Sequence, residues 1–139
     1  MHLLDTNVVS ELRKVASGRA DPRVVGWIAG VATEELHISV VTIHELEHGV
    51  RLAERVDPVR GAVLRRWLDD SVPRAFGDRI VPVDAAVARL AAAYHVPDPA
   101  PFRDALIGAT AVVHGLTMVT RDVGGFARYP GIRIVDPWA

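Results

Sequence analysis

Cysteine is absent from the 139-residue chain. That excludes a disulfide framework, a thiolate zinc site and a cysteine nucleophile together. Lysine is almost absent: Lys14 stands alone among 16 basic side chains, and the rest are arginine. No apolar run approaches the roughly 20 residues that a membrane span requires, and aromatic residues make up only 6%. No Gly-Lys-Ser/Thr occurs, which removes a P-loop, and no Gly-x-Ser-x-Gly occurs, which removes that serine-nucleophile turn. Surplus charge is missing too, since 16 basic against 17 acidic side chains leave a net charge of −1. A polyanion binder that relies on bulk positive charge is disfavoured. An acidic pocket beside an arginine-lined groove stays compatible with nucleic acid. Met1-His2-Leu3-Leu4 runs straight into Asp5, without the basic segment and apolar core of a secretory signal. A cytoplasmic protein with no membrane association is the expectation.

What is present reads as one globular domain over residues 1–139, half apolar and a quarter charged. Leu3-Leu4 reads as a short buried strand delivering Asp5, followed by a helix capped by Thr6 or Asn7. Asp21-Pro22 is a cap followed by an N1 proline, opening a helix through Ile28. Leu36 to Ser39 is a second strand, with helical patterns from about Val41 to Val56 and from Pro58 to about Asp70. Ile80 to Val83 reads as a strand, and Asp84 caps an alanine-rich helix to about Tyr94. The proline-rich 97–101 segment is a rigid loop, after which Pro101 opens a helix stopped at His114-Gly115. Leu116 to Thr120 and Ile132 to Val135 are the last strands. Short apolar strands separated by helices predict an α/β fold, a mainly parallel sheet covered on both faces.

Ligands of such sheets bind beyond the carboxyl ends of the strands. Asp5 and Asp122 lie at two of those ends, and Glu45 and Asp104 sit on helices that could reach the same edge. Glu47 has Arg51 four residues on, the orientation of an exposed ion pair. Glu45 instead lies between Val41, Gly49 and Leu52. Asp104 heads a stripe of Ile107, Gly108 and Ala111. Each acid has a plainer reading: a surface glutamate, an acid complementing a helix start, a cap and a turn aspartate. Brought into one pocket, however, several carboxylates would raise one another's pKa unless a cation joined them. All-oxygen ligands suit Mg²⁺ or Mn²⁺, and such an ion supports phosphodiester hydrolysis.

Residues Leu3 to Leu12, Ser39 to Leu46, Phe102 to Ala111, Gly115 to Asp122 and Ile134 to Trp138 together resemble PIN-domain ribonucleases. The resemblance is closest to VapC-type toxins of bacterial toxin–antitoxin pairs, and order and spacing agree along the whole chain. It implies a PIN-like three-layer α/β/α fold and a Mg²⁺- or Mn²⁺-dependent endoribonuclease. Asp5, Glu45, Asp104 and Asp122 would form its catalytic and metal-binding cluster, with Asp5 and Asp104 the firmest ligands and Asn7 and Thr120 supporting them. It also implies a homodimer, a VapB-type antitoxin whose tail blocks the acids, and an RNA substrate such as tRNA or rRNA. One departure stands out: relatives commonly carry an acid just before the phenylalanine after the last acid, and here Gly125 precedes Phe126. A second ion would then rest on Asp122 alone.

Two readings compete. His44-Glu45-Leu46-Glu47-His48 matches the H-E-x-x-H pattern of zinc hydrolases, which needs a third protein ligand. Alternatively, a PIN-like module could bind RNA or protein without catalysis. A strand-end aspartate nucleophile for phosphoryl transfer is less suited, because no lysine follows Lys14. Trp27, Trp67 and Trp138 read as core or dimer contacts, and the pairs Arg51/Arg55 and Arg65/Arg66 as mostly solvated helix faces, either of which could line an RNA groove.

Overall fold

The computed structural model describes residues 1–139. Five strands, β1 (His2–Leu4), β2 (Leu36–Ser39), β3 (Ile80–Val81), β4 (Thr117–Val119) and β5 (Ile134–Val135), form one sheet in the order β3-β2-β1-β4-β5. Every pairing is parallel, where a mainly parallel sheet was expected. Leu3 pairs with Met118 and Leu4 with Val119. Neighbouring residues of a strand point to opposite faces, so this pleat sorts the apolar side chains into two cores. Leu4, Ile38 and Val119 pack with α1 (Thr6–Leu12), α2 (Pro22–Ala29), α3 (Val40–Val56) and α5 (Val72–Phe76). Leu3 and Met118 pack with α6 (Ala85–Ala93), α7 (Phe102–Val113) and α8 (Val123–Ala127). The result is the three-layer α/β/α arrangement expected.

Several local readings need correction. Asp5, not Thr6 or Asn7, caps α1, with its carboxylate accepting from the Thr6 N–H. The helical stretch from Pro58 divides into α4 (Pro58–Arg66), a wider π-type turn over Trp67–Ser71, and α5, which begins beside Pro73. Proline is tolerated in a first helical turn, where its missing N–H would have no intrahelical partner. β3 stops at Val81 because Pro82 follows it and offers no donor. The short helix α8, capped by Asp122, was not foreseen at all.

Arg65 is not a solvated helix residue. It donates to both oxygens of Glu47 (2.9 and 2.7 Å) and to Glu54 (2.9 Å), tying α4 to α3. That guanidinium holds the Glu47 carboxyl down at about 2. Gly61 lets the two helices touch: a Cβ there would lie 2.5 Å from the Glu54 Cα. The α3–α4 pair thus has a rigid seam, and Glu45 projects from α3 on another side. Trp138 is buried in the first core, whereas Trp27 and Trp67 pack against it half-exposed.

Candidate functional site

The chain runs from β1 across to β2 and β3 on one side, then returns to place β4 on the other side of β1. Where such a reversal occurs, the two connections leave in opposite directions and open a crevice at the strands' carboxyl ends. Asp5 and Thr120 stand in that crevice, immediately after β1 and β4. The Asp5 N–H donates to the Val119 carbonyl (2.9 Å), so the backbone ladder itself sets the position of Asp5.

Both Asp5 oxygens are engaged. Oδ1 accepts from the Thr6 N–H and Oδ2 from the Thr120 hydroxyl, each at 2.8 Å. These bonds favour the carboxylate, yet burial outweighs them. With Asp104 and Glu45 adding their repulsion, the Asp5 carboxyl is pushed up to about 6. Thr120 is fully buried and works in two further directions. Its Oγ1 accepts from the Asp122 N–H (3.0 Å) and from Asn7 Nδ2 (3.4 Å). Of the two supporting residues expected, Thr120 bonds Asp5 directly, whereas Asn7 reaches it only through Thr120.

On α3, Glu45 is half-buried and its Oε1 accepts from the Thr6 hydroxyl at 2.7 Å, with Thr42 Oγ1 3.0 Å from the same hydroxyl. Thr6 is the site residue that sequence reasoning missed. Its side chain joins α1 to α3, and only the packing of those helices reveals that. Arg103 Nε lies 3.8 Å from Glu45 Oε2. Asp104, in the first turn of α7, is raised above the ordinary carboxylate range by burial and by the charges of Glu45 and Asp122. Asp5 thus lies within electrostatic reach of Asp104 and Glu45, and Asp104 within reach of Glu45 and Asp122.

Asp122 is exposed and caps α8, its Oδ1 accepting from the Gly125 N–H at 3.1 Å. A Cβ at Gly125 would collide with the Asp122 carboxylate. The departure noted at this position therefore has a structural consequence: the side chain of Asp122 occupies the space that a residue at 125 would claim. No three His, Cys, Asp or Glu side chains, the four acids included, stand close enough together to hold a metal ion among them. His44 and His48 are exposed on α3 with no third ligand beside them, so the set needed by a zinc hydrolase is not assembled. Glu45 is instead committed to Thr6.

Thr120→Val keeps the volume and deletes the hydroxyl that serves Asp5, Asn7 and Asp122. Loss of a buried hydrogen-bonding centre should lower unfolding free energy by about 1–3 kcal/mol, read from urea denaturation.

A family model described as PIN domain matches residues 2–132. The Toxin FitB of Neisseria gonorrhoeae is 35% identical over 144 residues, spanning 99% of this chain and 99% of that protein. The VapC ribonuclease Y4jK of Sinorhizobium fredii is 35% identical over 143 residues, with 99% and 98% covered. The crystal structure of FitAcB from Neisseria gonorrhoeae superimposes with a TM-score of 0.87 at 34% identity, covering 99% of both chains.

Proposed function

This chain belongs to the PIN-domain family, and from that premise we propose that it is a Mg²⁺- or Mn²⁺-dependent endoribonuclease acting as the toxin of a toxin–antitoxin pair. What supports the reading is how two threonines and one groove link the acids. Thr6 donates its N–H to Asp5 and its hydroxyl to Glu45, the Thr120 hydroxyl donates to Asp5 and accepts from the Asp122 N–H, and Glu45 and Asp104 line the same groove. Burial and mutual repulsion disfavour ionised Asp5 and Asp104, and a divalent cation between them would reverse that balance. The donors are all hard oxygens, as such an ion prefers. Their open arrangement also fits Mg²⁺, which keeps several waters and takes only one or two carboxylates directly.

Asp5 and Asp104 would hold the ion. Once bound, it supplies a more acidic water and stabilises negative charge on the phosphodiester. Thr120 and the Thr6 N–H each hold one oxygen of the Asp5 carboxylate in place. Thr6 pins one oxygen of Glu45, leaving the other to accept a proton from the attacking water or to complete the ligand shell with Asp122. Arg103 stands on the other side of Glu45, where it can meet a phosphate oxygen.

The relatives' names as toxin and ribonuclease support an RNA substrate and a VapB-type antitoxin that blocks the acids. The 1–139 chain acts as a single domain and pairs as a homodimer. The test is cleavage of a labelled single-stranded RNA. EDTA should abolish it, excess Mg²⁺ or Mn²⁺ should restore it, and Asp104→Asn should remain inactive with both ions. Undiminished cutting in EDTA, or by Asp104→Asn, would refute the assignment, while no metal-dependent cutting by the parent protein would favour a non-catalytic module.

A further inference from the structure

A groove of about 690 Å³ opens beside the acidic rim and is shared by Glu45, Asp104, His44, Arg103 and Phe102. Phe102 is the one exposed Phe, Tyr or Trp side chain of the protein, at 71%. An exposed phenylalanine forfeits the stabilisation that burial would bring, so its placement two residues from Asp104 calls for a reason. It is not a loosely held surface ring. It stacks on His95, with ring centroids 6.3 Å apart and planes inclined by 20°. The imidazole is fixed in turn, because its Nδ1 accepts from the Ala100 N–H at 3.1 Å. The loop carrying these residues is also anchored where Arg128 donates to the Pro99 carbonyl at 3.3 Å.

Next to the groove, a second depression is lined by His44, His48, Arg51, Arg103 and the acid Glu47. Two guanidinium groups, Arg51 paired with Glu47 at 2.8 Å and Arg103 3.8 Å from Glu45, therefore stand beside the groove, both with exposed side chains. A flat aromatic face beside guanidinium and imidazole groups suits a planar base attached to a phosphate backbone. An aliphatic peptide would make no use of the ring stack.

We propose that Phe102, backed by His95, is a stacking platform for an unpaired nucleobase of the RNA, with Arg103 and Arg51 holding the adjoining phosphates. The platform rests on the nuclease reading for its substrate but not for its test. Because the base is read by its face, the site takes any unpaired nucleotide and excludes a base held in a duplex.

The experiment uses the full chain carrying Asp104→Asn, so that RNA is bound without being cut. The probe is a short single-stranded RNA containing 2-aminopurine, whose fluorescence drops on stacking, with its duplex as control. Phe102→Ala should weaken binding about tenfold, within the range measured for single base–aromatic stacks, and should abolish the quench. Phe102→Tyr should preserve both, and the duplex should bind poorly. Phe102 is the exposed first residue of α7, so these substitutions leave the core untouched. Unchanged affinity and quench in Phe102→Ala would overturn the proposal. So would a shift in oligomeric state by light scattering, which would make Phe102 a contact between copies, and so would loss of antitoxin binding with RNA binding intact. If quenching depends on Phe102 while the parent protein cuts no RNA with any divalent ion, the platform stands and the nuclease reading falls.

Discussion

Asp5→Asn should abolish RNA cleavage, by about 10³-fold or more given what a bound ion contributes, and at the same time make the metal-free protein more stable. The asparagine keeps the cap on α1 through the Thr6 N–H and fits the same space. What it removes is a buried negative charge that burial, Asp104 and Glu45 penalise by more than the hydrogen bond from the Thr120 hydroxyl, also lost, returns. The sign follows from the carboxyl lying at about 6 in the folded chain against about 3.9 in an unfolded one. Between those values the folded state binds the extra proton, so the parent protein in EDTA loses stability as pH rises from about 4 to 6. Two pH units correspond to about 3 kcal/mol as an upper limit. At pH 7.5 in EDTA, Asp5→Asn should therefore melt several degrees higher, on the order of 5–10 °C. Added Mg²⁺ should narrow that gap by stabilising only the parent. Thermal melts with and without the ion decide the matter: a variant less stable than its parent in EDTA would show that the charge is not a burden on the fold.

The largest effect on folding is expected at Gly61. Its missing side chain lets α4 approach the backbone of Glu54, and a Cβ would sit 2.5 Å from that Cα and 2.7 Å from that nitrogen. A flexible side chain could move aside, but two helix backbones cannot without opening the seam that Arg65 closes. Gly61→Ala should cost about 3 kcal/mol, the upper end for overpacking, and lower the melting temperature by on the order of 10 °C. Gly49 provides the contrast within α3. Nothing lies within 4 Å of a Cβ there, so Gly49→Ala should stabilise by about 0.5–1 kcal/mol through backbone entropy alone. Equal responses of the two positions would contradict the packing argument.

The parts of this site that could be read in the sequence are those tied to chain-local rules. Asp5 and Asp122 follow apolar strand runs, and a parallel sheet sends strand ends to one edge, so a common edge could be anticipated, whereas Thr120 was marked only by the family resemblance. Glu45 could be told from Glu47 because the latter had Arg51 at ion-pair spacing, a pair formed at 2.8 Å. Thr6 was illegible because a hydroxyl at a helix start has several ordinary uses, and only the approach of α3 selects one. Arg65 was misread for a similar reason, since its partners Glu47 and Glu54 lie 18 and 11 residues away. Asp122 reads in the sequence as an acid just after a strand, but its capping of α8 depends on Gly125, where the sequence shows only an absence.

β1 sits between β2 and β4, and the rim draws its acids from residues 5 to 122. Synthesis interrupted before β4 would leave β1 without that neighbour and Asp5 without the hydroxyl of Thr120, so a nascent chain cannot assemble the rim until residues far from Asp5 in sequence have joined the sheet.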